Sequence, residues 1–133
     1  MVNDKPRLMI VDDEPDNLDL IYRTFRRQFQ VIKANSPAQA IELLETEGEV
    51  ALVISDQSMP EMTGIELLEK VKARFPKTIC ILLTGYSEEA LEREASALGM
   101  AHIFRCISKP WDVEEFKLVV QQAVDAYHST EPT

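Results

Sequence analysis

The chain has 133 residues, 45% hydrophobic and 28% charged, with 14 basic and 23 acidic side chains and a formal net charge of −9. This length favours a single domain that buries a core without disulfides or a structural metal. The acidic balance argues against direct nucleic-acid binding, which needs a dense basic footprint on the phosphates. No apolar run approaches the roughly 20 residues that span a bilayer, and the polar N-terminus lacks the apolar core of a secretory signal.

The two cysteines are isolated from each other in the sequence. Cys80 and Cys106 each lie within an apolar run, a placement that predicts buried free thiols in a reducing compartment. With only two histidines and no paired cysteines, the sequence argues against a zinc site. We therefore expect a cytoplasmic protein without contact to a membrane.

Five short apolar runs alternate with amphipathic stretches along the chain. The runs cover residues 8–11, 31–32, 50–54, 79–83 and, less cleanly, 103–107. Three of them are almost continuously apolar, as expected of parallel strands that are covered on both faces. The runs therefore predict five strands of one parallel sheet.

The stretches between the runs have helical periodicity. The first contains an apolar stripe formed by Leu18, Ile21, Tyr22, Phe25 and Phe29. Similar stripes occur within residues 67–75 and 116–127. Helix starts are indicated by Pro15, by Ser36-Pro37, and by the capping-box pairs Thr63/Glu66 and Asp112/Glu115.

The order of elements is a βα unit repeated five times. Right-handed crossovers then give an α/β fold, a doubly wound five-stranded parallel sheet with helices on both faces. We expect one domain over residues 1–128 and a polar tail, or the start of a linker, over residues 129–133. In such a sheet, ligands bind beyond the carboxyl ends of the strands.

Polar and charged residues stand where four of the predicted strands end. Asp12 and Asp13 follow the first strand, Asp56 ends the third, Thr84 ends the fourth and Lys109 follows the fifth. Carboxylates crowded together cannot all stay ionised without a counter-charge, and Mg²⁺ prefers such oxygen ligands. A lysine can balance part of the charge of an incoming phosphoryl group.

In their order and spacing these elements resemble the receiver domain of bacterial two-component response regulators, over residues 7–127. The resemblance implies the flavodoxin-like, chemotaxis-regulator-like strand order 2-1-3-4-5. It also implies that the chain is a signalling module and not an enzyme in the usual sense. Such a module catalyses only its own phosphorylation and dephosphorylation.

The resemblance also assigns roles to the residues at the strand ends. Asp56 would accept a phosphoryl group from a phosphohistidine, while Thr84 and Lys109 would contact its oxygens. Mg²⁺, or alternatively Mn²⁺, would be held by Asp12, Asp13, Asp56 and the backbone carbonyl of Ser58. The Lys109–Pro110 peptide bond is expected to be cis on the same ground.

One position departs from the family pattern. Many receivers have Tyr or Phe three residues before the lysine, whereas this chain has Cys106; Phe104 is assigned the same strand parity. We therefore expect the loop after the fourth strand, with Thr84 and Tyr86, to carry most of the response to phosphorylation. Ser58 and Tyr86 occupy positions that tune the lifetime of the acyl phosphate, although Tyr86 could equally be a surface aromatic that faces a partner.

The resemblance implies partners as well. These are a sensor histidine kinase or a histidine phosphotransfer protein, and an output domain in the same chain or a separate effector. Phosphorylation could also drive homodimerisation through the fourth and fifth helices. Direct contact with nucleic acid is not expected of this domain.

Other interpretations of the same residues stay open. Asp12 and Asp13 could cap the first helix, Asp56 could be a turn residue and Lys109 could lie on a solvated loop. The chain could be a pseudo-receiver that is never phosphorylated. A Mg²⁺-dependent aspartyl phosphohydrolase is less favoured because Ser58 stands where a second acid is usual. A flavin or nucleotide module is disfavoured because the acidic residues after the first strand would repel phosphate.

Overall fold

The computed structural model describes residues 5–85 and 103–129. Its strands are β1 (Arg7–Val11), β2 (Gln30–Ala34), β3 (Leu52–Asp56), β4 (Ile79–Thr84) and β5 (Arg105–Ser108). Its helices are α1 (Pro15–Phe25), α2 (Pro37–Glu47), α3 (Gly64–Arg74) and the C-terminal helix α4 (Val113–Ser129). The C-terminal helix is the fifth helix of the sequence prediction, and the predicted fourth helix lies outside the described residues.

The five strands form one sheet in the order β2-β1-β3-β4-β5, and every neighbouring pair is parallel. This confirms the doubly wound α/β fold and the strand order 2-1-3-4-5. Val11 pairs with Ser55, Asp56 with Leu83, and Thr84 with Ser108. The register therefore brings the carboxyl ends of β1, β3, β4 and β5 to one end of the sheet.

Helices cover the sheet on both faces. α1 and the C-terminal helix pack on one face, where Phe25 and Phe116 meet edge to face with ring centroids 5.2 Å apart. α2 and α3 pack on the other face, with Leu44 and Leu67 in its apolar cluster. Because both faces are covered, the central strands β3 and β4 are buried along their whole length, as their continuous apolar sequences predict.

Helix α1 begins at Pro15, as predicted, and the other three predicted helix starts are confirmed by side-chain hydrogen bonds. Ser36 Oγ accepts from the Gln39 backbone N–H at 3.1 Å, and Thr63 and Glu66 form a reciprocal capping box. Asp112 Oδ1 accepts from the Glu115 N–H at 3.0 Å. Each of these side chains supplies an acceptor for an N–H group that the helix itself leaves unpaired.

The stripe predicted for the first helix is longer than the helix. α1 ends at Phe25, and Phe29 lies in the following turn, where its N–H donates to the Phe25 carbonyl. Phe29 is nevertheless buried, with its ring 5.9 Å from that of Phe25. The apolar face of α1 therefore extends to Phe29, although the helix itself ends at Phe25.

The two cysteines differ in burial. Cys80 lies in the central strand β4 and is fully buried, which raises the pKa of its thiol to about 12. Cys106 is half-buried, so the prediction of a buried thiol is wrong there. Cys106 belongs to β5, an edge strand that has β4 as its one neighbour among the strands of residues 5–85 and 103–129.

Phe104 and Cys106 pack against opposite faces of the sheet. Phe104 contacts the apolar cluster on the α1 side, whereas Cys106 contacts the cluster on the α2 and α3 side. The predicted shared parity of these residues is wrong because β5 begins at Arg105 and Phe104 lies in the bend before it. Strand alternation therefore does not relate the two side chains.

The helices in residues 5–85 and 103–129 are too short or too polar to cross a bilayer.

Candidate functional site

Three carboxylates meet at the carboxyl end of the sheet. Asp12 and Asp13 follow β1, and Asp56 is the last residue of β3. One carboxylate oxygen from each lies within 4.8 Å of the other two. Asp12 and Asp56 are 0% and 4% exposed, whereas Asp13 is exposed. Their positions at the ends of predicted parallel strands indicated this cluster, and the structure brings the three carboxylates together.

Asp12 has one oxygen with a protein partner and one without. Its Oδ1 accepts from the Glu14 backbone N–H at 2.9 Å, at the start of α1. Its Oδ2 is buried and has no hydrogen-bond partner among the described residues. Burial raises the pKa of Asp12, and the nearby negative charge of Asp56 raises it further against the lowering effect of the Glu14 N–H.

This donor set fits a hard divalent cation. Buried carboxylate oxygens are costly to leave unpaired, and a cation would supply the partner that Asp12 Oδ2 lacks. Mg²⁺ binds oxygen ligands and keeps several waters, which suits a cluster that is closed on the Asp12 side and exposed at Asp13. Asp12 does not cap α1 in the usual sense: its Oδ1 bonds the N–H of Glu14, the residue before the helix, and within the described part of the chain α1 has no side-chain cap hydrogen bond at its N-cap residue.

Lys109 places an ammonium group against this cluster. Its Nζ forms an ion pair with Asp56 Oδ1. Burial lowers the pKa of Lys109, but the hydrogen bond and charge of Asp56 outweigh that effect and leave the pKa above its usual value. Lys109 is therefore charged at neutral pH. The interpretation of Lys109 as a solvated loop residue is therefore wrong, because its ammonium is paired with Asp56.

The backbone fixes Lys109 beside the end of β4. The Lys109 N–H donates to the Thr84 carbonyl at 2.8 Å, and the Lys109–Pro110 peptide bond is cis, as the resemblance implied. Thr84 is 2% exposed at the last position of β4. The two predicted phosphoryl-contacting residues thus lie at the ends of neighbouring strands.

The other predicted tuning residues are less closely tied to the cluster. Ser58 lies two residues beyond Asp56 with an exposed side chain, at the start of the loop that leads to α3. Phe104 and Cys106 lie before and within β5, on the opposite faces described above. Tyr86 lies outside the described residues.

Two residues between Asp56 and the first turn of α3 have no role predicted from the sequence. A Cβ atom added to Gly64 would overlap the carbonyl oxygen of Asp56 and lie 2.7 Å from Leu82 Cδ1. Gln57, directly after Asp56, is 2% exposed although it is polar. A glycine after the loop was a visible signal for the close approach at residue 64, but no sequence pattern distinguished Gln57 from a solvated loop residue.

Comparison with known proteins agrees with this geometry. The sequence model of the response regulator receiver domain matches residues 8–121. The chain is 32% identical to the hydrogenase transcriptional regulatory protein HoxA of Cupriavidus necator over 95% of this chain and 26% of that protein. The chain thus spans about a quarter of the length of that relative.

Two solved structures have the same architecture. The signal receiver domain of an HD domain-containing protein from Pseudomonas fluorescens Pf-5 is similar with a TM-score of 0.85 and 34% identity, covering 97% of this chain and 93% of that one. The response regulator protein TrrA of Thermotoga maritima, solved in complex with Mg²⁺ and BeF, has a TM-score of 0.75 and 25% identity, covering 89% and 98%.

Proposed function

The chain belongs to the response regulator receiver domain family, and from this premise we propose that it is a phosphoacceptor module of two-component signalling with Asp56 as the acceptor. The observation that carries the proposal is the cluster of Asp12, Asp13 and Asp56 with the Lys109 ammonium paired to Asp56. A carboxylate acceptor, oxygen ligands for a cation and a fixed positive charge are the parts that phosphoryl transfer requires.

The proposed metal ligands are the carboxylates of Asp12, Asp13 and Asp56 and the backbone carbonyl of Ser58. Mg²⁺, or alternatively Mn²⁺, would neutralise negative charge on the phosphoryl oxygens during transfer. The unpaired Oδ2 of Asp12 supports this assignment. The complex of the Thermotoga protein with Mg²⁺ and BeF supports it by similarity.

In the proposed transfer, a carboxylate oxygen of Asp56 attacks the phosphorus of a phosphohistidine. The new O–P bond gives an acyl phosphate, the P–N bond breaks, and its electron pair remains on the histidine nitrogen. Lys109 exchanges its Asp56 oxygen for a phosphoryl oxygen, and the Thr84 hydroxyl donates to another. The product places about two negative charges and new acceptor oxygens beside these groups, which can draw a loop inward.

The response and the partners are part of the same proposal. We assign the receiver domain to residues 1–128 and a tail or linker to residues 129–133, in the cytoplasm. The phosphoryl group would come from a sensor histidine kinase or a histidine phosphotransfer protein. The output would be a domain of the same chain or a separate effector, in keeping with the short share of HoxA that the chain spans. Dimerisation through the predicted fourth and fifth helices is one possible output.

Beryllofluoride binding tests the phosphoacceptor role. The purified protein is titrated with beryllofluoride in the presence of Mg²⁺, and binding is followed by calorimetry and amide chemical shifts. We expect saturable binding that is lost in Asp56→Ala and retained in the matched control Asp19→Ala, which removes an exposed carboxylate ion-paired to Arg23 on α1.

The same titration, together with an assay of phosphomonoester hydrolysis, separates the alternatives. No binding by the wild type would favour a pseudo-receiver, and undiminished binding by Asp56→Ala would exclude Asp56 as the acceptor. Multiple-turnover hydrolysis of phosphomonoesters would instead favour the phosphohydrolase. We expect shifts that reach the loop with Thr84 and Tyr86; shifts confined to the neighbours of Asp56 would contradict that part of the proposal.

A further inference from the structure

Gln57 is a buried polar residue that joins three elements. Its N–H donates to the Leu83 carbonyl of β4 at 2.9 Å. Its carbonyl accepts from the Gly64 N–H at 3.0 Å, and its side-chain Oε1 accepts from the Ile65 N–H at 2.9 Å. These bonds fasten the residue after Asp56 to the neighbouring strand and to the first turn of α3.

The start of α3 is divided between two sets of acceptors. The N–H groups of Thr63 and Glu66 are paired within the capping box, at 2.9 and 3.2 Å. The N–H groups of Gly64 and Ile65 are both paired with Gln57. Two N–H groups at the start of α3 are thus paired by the capping box itself, and the other two are paired by Gln57, the residue after Asp56.

We propose that Gln57 is a positioning residue for the cation at the carboxylate cluster, an inference that rests on the proposed function. Its bonds fix both ends of the loop 58–63. Ser58, whose carbonyl is the proposed backbone ligand, is the first residue of that loop, and the Asp56 carboxylate precedes Gln57 directly. Gly64 supports the same arrangement because only a residue without Cβ fits against the Asp56 carbonyl.

This role differs from simple helix capping because it couples the hydrogen bond between Gln57 and Ile65 to Mg²⁺ binding. If Gln57 only stabilised α3, losing its side-chain bond would have the same consequence as losing the Thr63 bond at the same terminus. If Gln57 positions the cation ligands, its bond to Ile65 and Mg²⁺ binding strengthen each other by the same factor, as thermodynamic linkage requires. Residues that orient metal ligands commonly change metal affinity by about 10- to 100-fold.

The first test uses the wild-type protein. Amide hydrogen exchange is measured at Ile65, whose acceptor is Gln57, and at Glu66, whose acceptor is Thr63, without and with saturating Mg²⁺. We expect Mg²⁺ to slow exchange at Ile65 about tenfold and to leave Glu66 within twofold. Equal changes at the two amides, or no change at Ile65, would overturn the inference.

The second test uses variants. Gln57→Met removes the acceptor at similar size, and Thr63→Ala is the matched control at the same helix terminus. We expect the dissociation constant for Mg²⁺, from amide shifts, to rise about tenfold in Gln57→Met and less than twofold in Thr63→Ala. Gln57→Glu retains the acceptor and should recover wild-type protection of the Ile65 amide.

The outcomes keep the two proposals apart. A wild type that binds neither Mg²⁺ nor beryllofluoride overturns the proposed function. A wild type that binds both, with Gln57→Met and Thr63→Ala weakened equally or not at all, overturns only the positioning role of Gln57. Should Gln57→Met fail to fold, the exchange comparison in the wild type still decides the question.

Discussion

The two ends of the sheet differ in how completely their polar groups are paired. At the amino end, the Arg7 guanidinium donates to the carbonyls of Glu47 and Glu49, both at 2.7 Å, and so pairs the last carbonyl of α2 and one two residues beyond it. The Tyr127 hydroxyl donates to Glu49 Oε2 at 2.6 Å. The Thr78 hydroxyl, which is buried, donates to the Val50 carbonyl at 2.7 Å.

At the carboxyl end, charge is concentrated and incompletely compensated. Three carboxylates share one space with the Lys109 ammonium, and Asp12 Oδ2 has no partner among the described residues. The amino end therefore contributes to stability through completed hydrogen bonds, whereas the carboxyl end keeps binding capacity at a cost in stability. Substitutions of charged residues at the two ends should consequently differ in sign and in their dependence on Mg²⁺.

The largest expected effect on stability comes from adding a side chain at Gly64, which lies close against the Asp56 carbonyl. Gly64→Ala places a methyl group against the Asp56 carbonyl and Leu82, so we expect a loss of about 2–3 kcal/mol in the free energy of unfolding. Chemical denaturation measures it. Gly85→Ala is the matched control, since a Cβ there meets nothing within 4 Å; a loss of similar size in the control would contradict the explanation.

At the amino end, Arg7→Met should destabilise the protein without touching the site. It removes two charge-assisted hydrogen bonds to carbonyls, and we expect a loss of about 2 kcal/mol. The stabilisation that Mg²⁺ adds should be the same as in the wild type. Arg23→Met, which breaks an exposed ion pair with Asp19, should cost less than about 0.5 kcal/mol. An altered Mg²⁺ response in Arg7→Met would remove the distinction between the two ends.

The smallest expected effect has the opposite sign. Asp12→Asn keeps an acceptor for the Glu14 N–H but removes a buried charge, so we expect the metal-free protein to gain on the order of 1 kcal/mol at pH 7. The same variant should lose the stabilisation by Mg²⁺. Thermal melts with and without Mg²⁺ measure both effects, and Asp16→Asn, an exposed position on α1, is the control.

The pH dependence of this variant follows from the raised pKa of Asp12. A raised pKa means that the folded protein holds a proton more tightly than the unfolded chain does. The resulting stabilisation is present below the ordinary aspartate pKa, near pH 4, and is lost as the pH rises through the folded value. The advantage of Asp12→Asn over the metal-free wild type should therefore grow from pH 4 towards neutrality; an advantage that is constant with pH would contradict this account.

Much of the fold and of the site could be predicted from local sequence. The runs at β1, β3 and β4 are continuously apolar because these strands are covered on both faces, and the capping boxes are patterns of residues three apart. The carboxylate cluster could be predicted because the carboxyl ends of parallel strands lie at the same end of the sheet. The sequence therefore predicts that three residues at the strand ends lie close together: Asp12, Asp56 and Lys109.

What the sequence by itself determined is thus the alternation of strands and helices and the set of charged residues at the strand ends, since both depend on periodicity and on positions within single elements. Only the tertiary structure decided that Asp12 has a buried unpaired oxygen, that Gln57 joins β4 and α3, and that Phe104 and Cys106 face opposite sides. Burial and long-range hydrogen bonds depend on contacts between elements that are far apart in the sequence, so the sequence pattern within one element does not predict them.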